Sequence, residues 1–277
     1  MQTYSFKITS GFVTKLDNLP LNLRFQEHNR CEDMKVDEKS QIYDNYISTH
    51  FGKVHGGKEE FERVSKYFKK NYLKHLPTDY NAKILDLGCG MGHFLYFLEK
   101  NGYTNCVGVD ISNENIEFCK KQGFNVLLSN AFEYLQDPNQ LYDAIIMNDI
   151  LEHFDKQEVI LLLNLVFERL DGNGRLIIKV PNASNPIMAC SSRYFDFTHE
   201  SIFTEESLSQ ILKVSGFDDI RVYPQDLYVF YYNPLNYLAK CFSRLLNFTF
   251  RLLFIMHGRK TTKIFTKDII AVAIKRD

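Results

Sequence analysis

The segment Ile84-Leu85-Asp86-Leu87-Gly88-Cys89-Gly90-Met91-Gly92-His93-Phe94 constrains the chain more than any other. A short apolar run ends in an acid, three alternate glycines follow, and a helical pattern begins directly after them. Such a run reads as a buried strand that delivers Asp86 at its carboxyl end. The glycines then let the backbone turn tightly beside a ligand before a helix starts. Nicotinamide and flavin enzymes also use glycine loops, but here the spacing is GxGxG. His93 stands where a dinucleotide fingerprint requires its third glycine. A carboxylate at Asp86 would repel a pyrophosphate and favour a cationic ligand, such as the amino and sulfonium groups of S-adenosylmethionine (SAM).

The pattern continues downstream. Strands are expected at Lys83–Leu87, Cys106–Asp110, Asn125–Leu128, Tyr142–Asn148 and Arg175–Val180. Helices are expected over 92–101, 114–122 and 157–170, with Asp171-Gly172-Asn173-Gly174 as a turn into the fifth strand. Apolar strands alternating with helices argue for a parallel sheet covered on both faces. Thr204 is placed as an N-cap and Gly216 as the C-cap of a later helix. Two more strands follow, Ile220–Tyr223 and Ile269–Ile274. Upstream, Tyr4–Ile8 suggests a small strand or arm, residues 31–40 a charged linker, and 42–76 a helical segment closed by Pro77. The division is therefore an N-terminal arm and helical cap (1–76) and an α/β domain (77–277) with a helical insertion at about 225–267.

Asp110 ends the second strand, 24 residues after Asp86, where an acid accepts both ribose hydroxyls in Rossmann-like sites. Asn130 and Ala131 follow the third strand, where an amide could read an adenine or merely cap a turn. The cofactor residues so assigned are Asp86, Gly88, Cys89, Gly90, Gly92, Asp110, Ile111, Asn130, Ala131 and Asn148.

The stretches ILDLGCGMGHF, VGVDIS, YDAIIMNDILEHF, LDGNGRLIIKVPN and FTEESLSQILKVSGF resemble the class I SAM-dependent methyltransferases over about residues 80–224 and the last strand. The resemblance implies a Rossmann-like seven-stranded sheet with helices on both faces and its last strand antiparallel beside the fifth. After the fourth strand, the run Asp149-Ile150-Leu151-Glu152-His153 resembles ubiquinone-pathway O-methyltransferases and small-RNA 3′-end methyltransferases, in which an acid, a Glu and a His help hold a divalent metal. That resemblance names Asp149, Glu152, His153 and, from a later loop, His199 as catalytic residues and metal candidates. Two other readings stand beside it: His153 or His199 as a metal-free base, and a Glu-His pair that only shapes the pocket.

Arg193, Tyr194 and Asp196 are the acceptor-binding candidates. The run R-Y-x-D-F-T-H-E followed by F-T-x-x-S-L resembles methyltransferases of bacterial polysaccharide assembly. The expectation is SAM-dependent O-methylation of a glycan, nucleotide-sugar or lipid-linked sugar. A quinone-like or other small-molecule O-methyltransferase and a non-catalytic SAM-binding assembly partner are the alternatives.

A formal net charge of -1 disfavours nucleic acid as a partner. Six scattered cysteines without metal spacing, no leader-like start and no long uncharged apolar run point to the cytoplasm. Residues 234–257 are apolar with a cationic stripe. They are expected to pack on the domain, form a homodimer, or lie on the inner membrane face.

Overall fold

The computed structural model describes residues 57–227 and 233–276, all within one compact unit, Tyr46–Asp277. The expectations for the arm at Tyr4–Ile8, the linker at 31–40 and the start of the helical segment lie outside these residues. The described part of that segment is helix α1, Lys58–Tyr72, followed by a 3-10 turn at Leu73–His75. It buries Phe61, Ser65, Phe68, Asn71 and Tyr72, one stripe at helical spacing.

The sheet strands are β1 (Ile84–Leu87), β2 (Cys106–Asp110), β3 (Val126–Leu128), β4 (Tyr142–Asn148), β5 (Leu170–Pro181), β6 (Asp218–Pro224) and β7 (Asp268–Ile274). They lie in the order β3-β2-β1-β4-β5-β7-β6. The first five pair in parallel, and β7 runs antiparallel between β5 and β6. Between them run α2 (His93–Lys100), α3 (Asn113–Gln122), α4 (Ala131–Tyr134), α5 (Lys156–Arg169), α6 (Ala189–Tyr194), α7 (Glu205–Val214) and α8 (Pro234–Met256).

Alternation along each strand supplies two cores. Leu85, Leu87, Ile145, Met147, Leu176 and Ile178 pack with Leu162, Leu163 and Val166 of α5. Ile84, Ala144, Ile146 and Ile177 pack on the other face with Phe94, Phe97 and Leu98 of α2 and with Phe68 and Tyr72 of α1. Both faces are covered, as a parallel sheet requires. Thr204 caps α7 through a box with Ser207, and Gly216 follows the helix at φ +91°. The Asp171–Gly174 turn is a loop-out within β5, since pairing with β4 jumps from Tyr142↔Leu170 to Ala144↔Arg175.

Two features of topology position the site. The chain moves outward from β1 to β2 and β3, then crosses back to β4 on the other side of β1. The carboxyl ends of β1 and β4 therefore flank the crevice where ligands enter such sheets. In addition, β6 is antiparallel to β7, which is antiparallel to β5. The connection carrying α8 thus leaves and re-enters the sheet at this same edge.

Candidate active site

Asp86 is buried, and both of its carboxylate oxygens lack a hydrogen-bond partner. Burial, with the nearby charge of Asp110 second, pushes its pKa up to about 8. An unpaired buried carboxyl is costly unless a ligand completes it. Gly88, Gly90 and Gly92 all have positive φ, the left-handed region that glycine enters without steric cost. A Cβ on Gly92 would lie 2.7 Å from the Phe124 ring, so no side chain fits there. At Gly90 a Cβ would meet nothing within 4 Å, which leaves room beside the loop for a ligand.

Asp110 holds the loop in place. Its Oδ2 accepts the Gly90 N–H at 2.8 Å, while Oδ1 accepts Ser112 N–H at 2.8 Å and Asn115 Nδ2 at 3.1 Å. Burial raises its pKa against these three donors. Cys89 lies beneath the turn, and a Cβ on Gly108 would be 2.8 Å from its Sγ. Ile111 is exposed beside Asp110. Asn130 caps α4 by accepting the Phe132 N–H at 2.8 Å; this leaves its amide N–H groups free to donate. Ala131 is half-buried at the start of that helix. Asn148, at the end of β4, accepts the Tyr72 hydroxyl at 2.6 Å, and its buried Nδ2 has no partner. An unpaired carboxyl, open space at Gly90 and an unpaired amide N–H form a donor set that fits SAM.

Beyond β4 the chain turns through Asp149, at φ +53°, into the 3-10 turn Leu151–His153. The Asp149 carboxylate is ion-paired with Lys179 of β5. Burial opposes the Lys179 charge, but Asp149, Tyr67 and Asp268 outweigh it and raise the pKa. Glu152 is buried with both carboxylate oxygens unpartnered, and desolvation, then Asp149, holds its pKa well above the usual range.

His153 Nδ1 stands 2.7 Å from Thr198 Oγ1, whose own proton goes to Asp196 Oδ1 at 2.6 Å. The hydroxyl can then only accept from the imidazole, so His153 carries a proton on Nδ1. His199 Nδ1 lies 2.7 Å from the Ser192 carbonyl, which can only accept, so it carries a proton too. The two rings meet edge to face with centroids 4.7 Å apart. Burial first, and His199 second, lower the His153 pKa to about 4.

Each of Glu152, His153 and His199 offers one ligand atom, and these atoms lie within 4.8 Å of one another. Asp149, directed to Lys179, is outside this group. Arg193 donates to the His199 carbonyl and lies over the Tyr194 ring, while Tyr194 is exposed. Asp196 is buried and accepts the N–H and hydroxyl of Thr198, so it orients His153 through Thr198. Sequence reading did not single out Lys179 or Thr198. The lysine inside the apolar run of β5 was a visible signal, and Thr198 lies within the R-Y-x-D-F-T-H-E run without being assigned a role.

The methyltransferase-domain family model matches residues 60–222. Phosphoethanolamine N-methyltransferase 3 of Arabidopsis thaliana is 23% identical over 160 residues, which cover 54% of this chain and 32% of that protein. A ubiquinone biosynthesis O-methyltransferase of Rickettsia canadensis is 30% identical over 122 residues, covering 42% and 50%. The chain thus spans about a third to a half of the length of these two curated relatives. The crystal structure of a SAM-dependent methyltransferase from Archaeoglobus fulgidus superposes with TM-score 0.57 at 24% identity, covering 79% of this chain and 97% of that one. The chain belongs to the methyltransferase-domain family and has the fold of the class I SAM-dependent methyltransferases.

Proposed function

We propose that the chain transfers a methyl group from SAM to a hydroxyl of a saccharide acceptor, with Glu152, His153 and His199 bordering the reacting oxygen. When bound, SAM supplies an electrophilic methyl carbon on a sulfonium. Asp86 faces the cationic methionine end, Asp110 accepts ribose hydroxyls, and Asn130 is available to the adenine. The enzyme's remaining task is to hold the oxygen in line with that carbon and to draw off its proton.

The observation that carries this reading is the pair of imidazoles that meet edge to face beside the buried Glu152 carboxyl. Nδ1 of His199 lies against the Ser192 carbonyl, which can only accept, so Nε2 is the His199 nitrogen turned to the acceptor hydroxyl, while His153 Nδ1 is held by Thr198. His199 is the more exposed of the two and takes the hydroxyl proton; buried His153 packs against it and keeps it oriented. Asp149 and Lys179 neutralise each other at the end of β4, which keeps a stray charge from the methyl path.

A second reading is favoured by the unpartnered Glu152 carboxyl. One carboxylate and two imidazole nitrogens suit a divalent cation, which would lower the pKa of the acceptor hydroxyl.

The saccharide assignment is supported by the loop after β5, which carries exposed Tyr194, Phe195 and Phe197 and places Arg193 over the Tyr194 ring. Relatives named as a phosphoethanolamine N-methyltransferase and a ubiquinone biosynthesis O-methyltransferase keep a quinone-like or other small-molecule acceptor as the alternative. We place the protein in the cytoplasm. Mass spectrometry of host glycans and their precursors, with and without this gene, tests the assignment. One saccharide losing a single methyl mass supports it. Unchanged glycans with turnover of phenolic acceptors by the purified protein would replace it with the quinone-like reading. SAM binding without any turnover would leave a non-catalytic module.

A further inference from the structure

Helix α8 is oriented against the usual sense of an amphipathic helix. Its half-buried positions are Asn236, Ala239, Lys240, Ser243, Leu246, Asn247, Phe250 and Phe254, a mostly small or polar stripe that faces the domain. Phe250 and Phe254 provide the contact, packing on Phe265 with centroids 6.1 and 4.7 Å away. The opposite stripe is Leu238, Phe242, Leu245, Phe248, Leu252 and Met256, each between 47% and 81% exposed. No residue of the 23-residue helix is buried. A contiguous apolar surface of this kind marks an interaction site.

Charge selects what covers it. From Leu227 to Lys267 the chain holds seven Lys or Arg and no Asp or Glu. Lys240 is paired with Asp226. Arg244 and Arg251 are exposed beside the apolar stripe, and Arg259 and Lys260 are exposed just beyond the helix. A two-fold contact between copies through this stripe would bring only cations together, because both sides of such an interface are the same patch. The apolar arc is also wider than the narrow seam of a paired coiled coil. A cation-flanked helix with a broad apolar face suits a surface with apolar depth and negative charge. Among the described residues no helix is long and apolar enough to cross a membrane, so α8 would lie along that surface.

We propose that α8 docks the protein on an anionic bilayer and holds its acceptor loop at the lipid headgroups. The loop is tied to α8 through the segment on which the helix packs. Asn182 Nδ2 donates to the carbonyls of Ile264 and Thr266, both at 3.0 Å, and Asn185 Nδ2 donates to Phe265 at 2.7 Å. Asn185 also accepts the N–H groups of Ile187 and Met188, which lead into α6. Exposed Ile187, Tyr194, Phe195 and Phe197 therefore sit on a loop whose root shares Phe265 with α8. The docking does not depend on the identity of the acceptor.

The test is co-sedimentation of the full chain with phosphatidylcholine vesicles, with and without phosphatidylglycerol. Binding is expected on the anionic vesicles and at least about tenfold less on the neutral ones. Arg244→Gln with Arg251→Gln should weaken it by roughly ten- to thirtyfold, and Leu245→Asp with Phe248→Asp should abolish it. SAM affinity by calorimetry reports that these variants remain folded. Failure of the native chain to bind anionic vesicles overturns the proposal. In that case a dimer dissolved by Leu245→Asp would identify a second copy as the occupant. Equal binding to both vesicle types would overturn the role of the cations.

Discussion

Thr198 accepts a hydrogen bond from His153 across 45 residues of sequence, and at 2.7 Å this contact sets which imidazole nitrogen is protonated. Its hydroxyl is itself oriented by Asp196. Thr198→Val keeps the shape and removes both hydrogen bonds of the hydroxyl, so the His153 ring loses the acceptor that holds its Nδ1 proton. Turnover should fall by about ten- to a hundredfold, while SAM affinity, measured by calorimetry, stays unchanged. Thr198→Ser should restore most of the rate. A valine variant with full kcat would remove His153 from the chemistry.

The same histidine gives the fold a pH dependence. Its folded pKa of about 4 lies below the unfolded value of 6.5. The unfolded state therefore binds more protons between these limits, and stability is complete above about pH 6.5 and lost as pH falls toward 4. His75, lowered to about 4 by burial and then by Lys74, acts in the same direction. His153→Gln should flatten the acid limb of a Tm-against-pH profile; an unchanged limb would show that other groups set it.

Two glycines of one loop should respond differently to alanine. At Gly90 the added Cβ meets no atom, so only the strain of φ +52° remains, about 1–2 kcal/mol. The methyl group would project into the space left for SAM, and cofactor affinity should drop by more than about tenfold. At Gly92 the Cβ meets Phe124 carbons at 2.7 and 2.9 Å and Cys119 Sγ at 3.0 Å. Gly92→Ala should therefore cost several kcal/mol of stability as strain and overpacking add. Equal losses of Tm in the two variants would contradict the assignment of open space at Gly90.

The proposed cofactor half of this site can be read from the sequence because it is local. Asp86, the glycines and Asp110 all lie at strand ends whose apolar runs can be read directly, and the turn chemistry announces itself. The acceptor half was legible only as a cluster of residue types. Its geometry depends on Thr198 and Asp196 folding back onto His153, and on Asp149 turning to Lys179 of the neighbouring strand. Spacing along a chain does not encode such closures. Periodicity likewise marked residues 234–257 as an amphipathic helix. It did not reveal which face would be outward, because that depends on Phe265 receiving Phe250 and Phe254.

In the proposed site Asp86 couples cofactor binding to protons. With a pKa raised to about 8 the carboxyl is largely protonated at pH 7 without ligand. A cationic group placed against it would restore the charged form and release a proton. SAM binding at pH 7 should therefore release close to one proton, visible as a dependence of calorimetric enthalpy on the ionisation heat of the buffer. A raised carboxyl pKa also costs stability as pH rises from about 4 to about 8, since the folded state holds the proton more tightly. Asp86→Asn should remove that slope, stabilise the ligand-free protein at pH 8, and weaken SAM binding. Proton release that persists in the variant would assign it to another group.

Glu152 separates the two accounts of the acceptor site. Its buried carboxyl has no partner among the described residues, and desolvation favours its neutral form. If a divalent cation completes it, EDTA should lower turnover by more than about tenfold, Mg²⁺ or Mn²⁺ should restore it, and SAM affinity should be unaffected. Glu152→Gln should then abolish metal binding measured directly by calorimetry, because an amide oxygen cannot supply the charge that a carboxylate brings to a hard cation. If EDTA leaves turnover intact and the glutamine variant still works, the carboxyl is neutral in the working enzyme. Proton removal then falls to His199, and His199→Ala should cost about a hundredfold or more in kcat with KM for SAM unchanged.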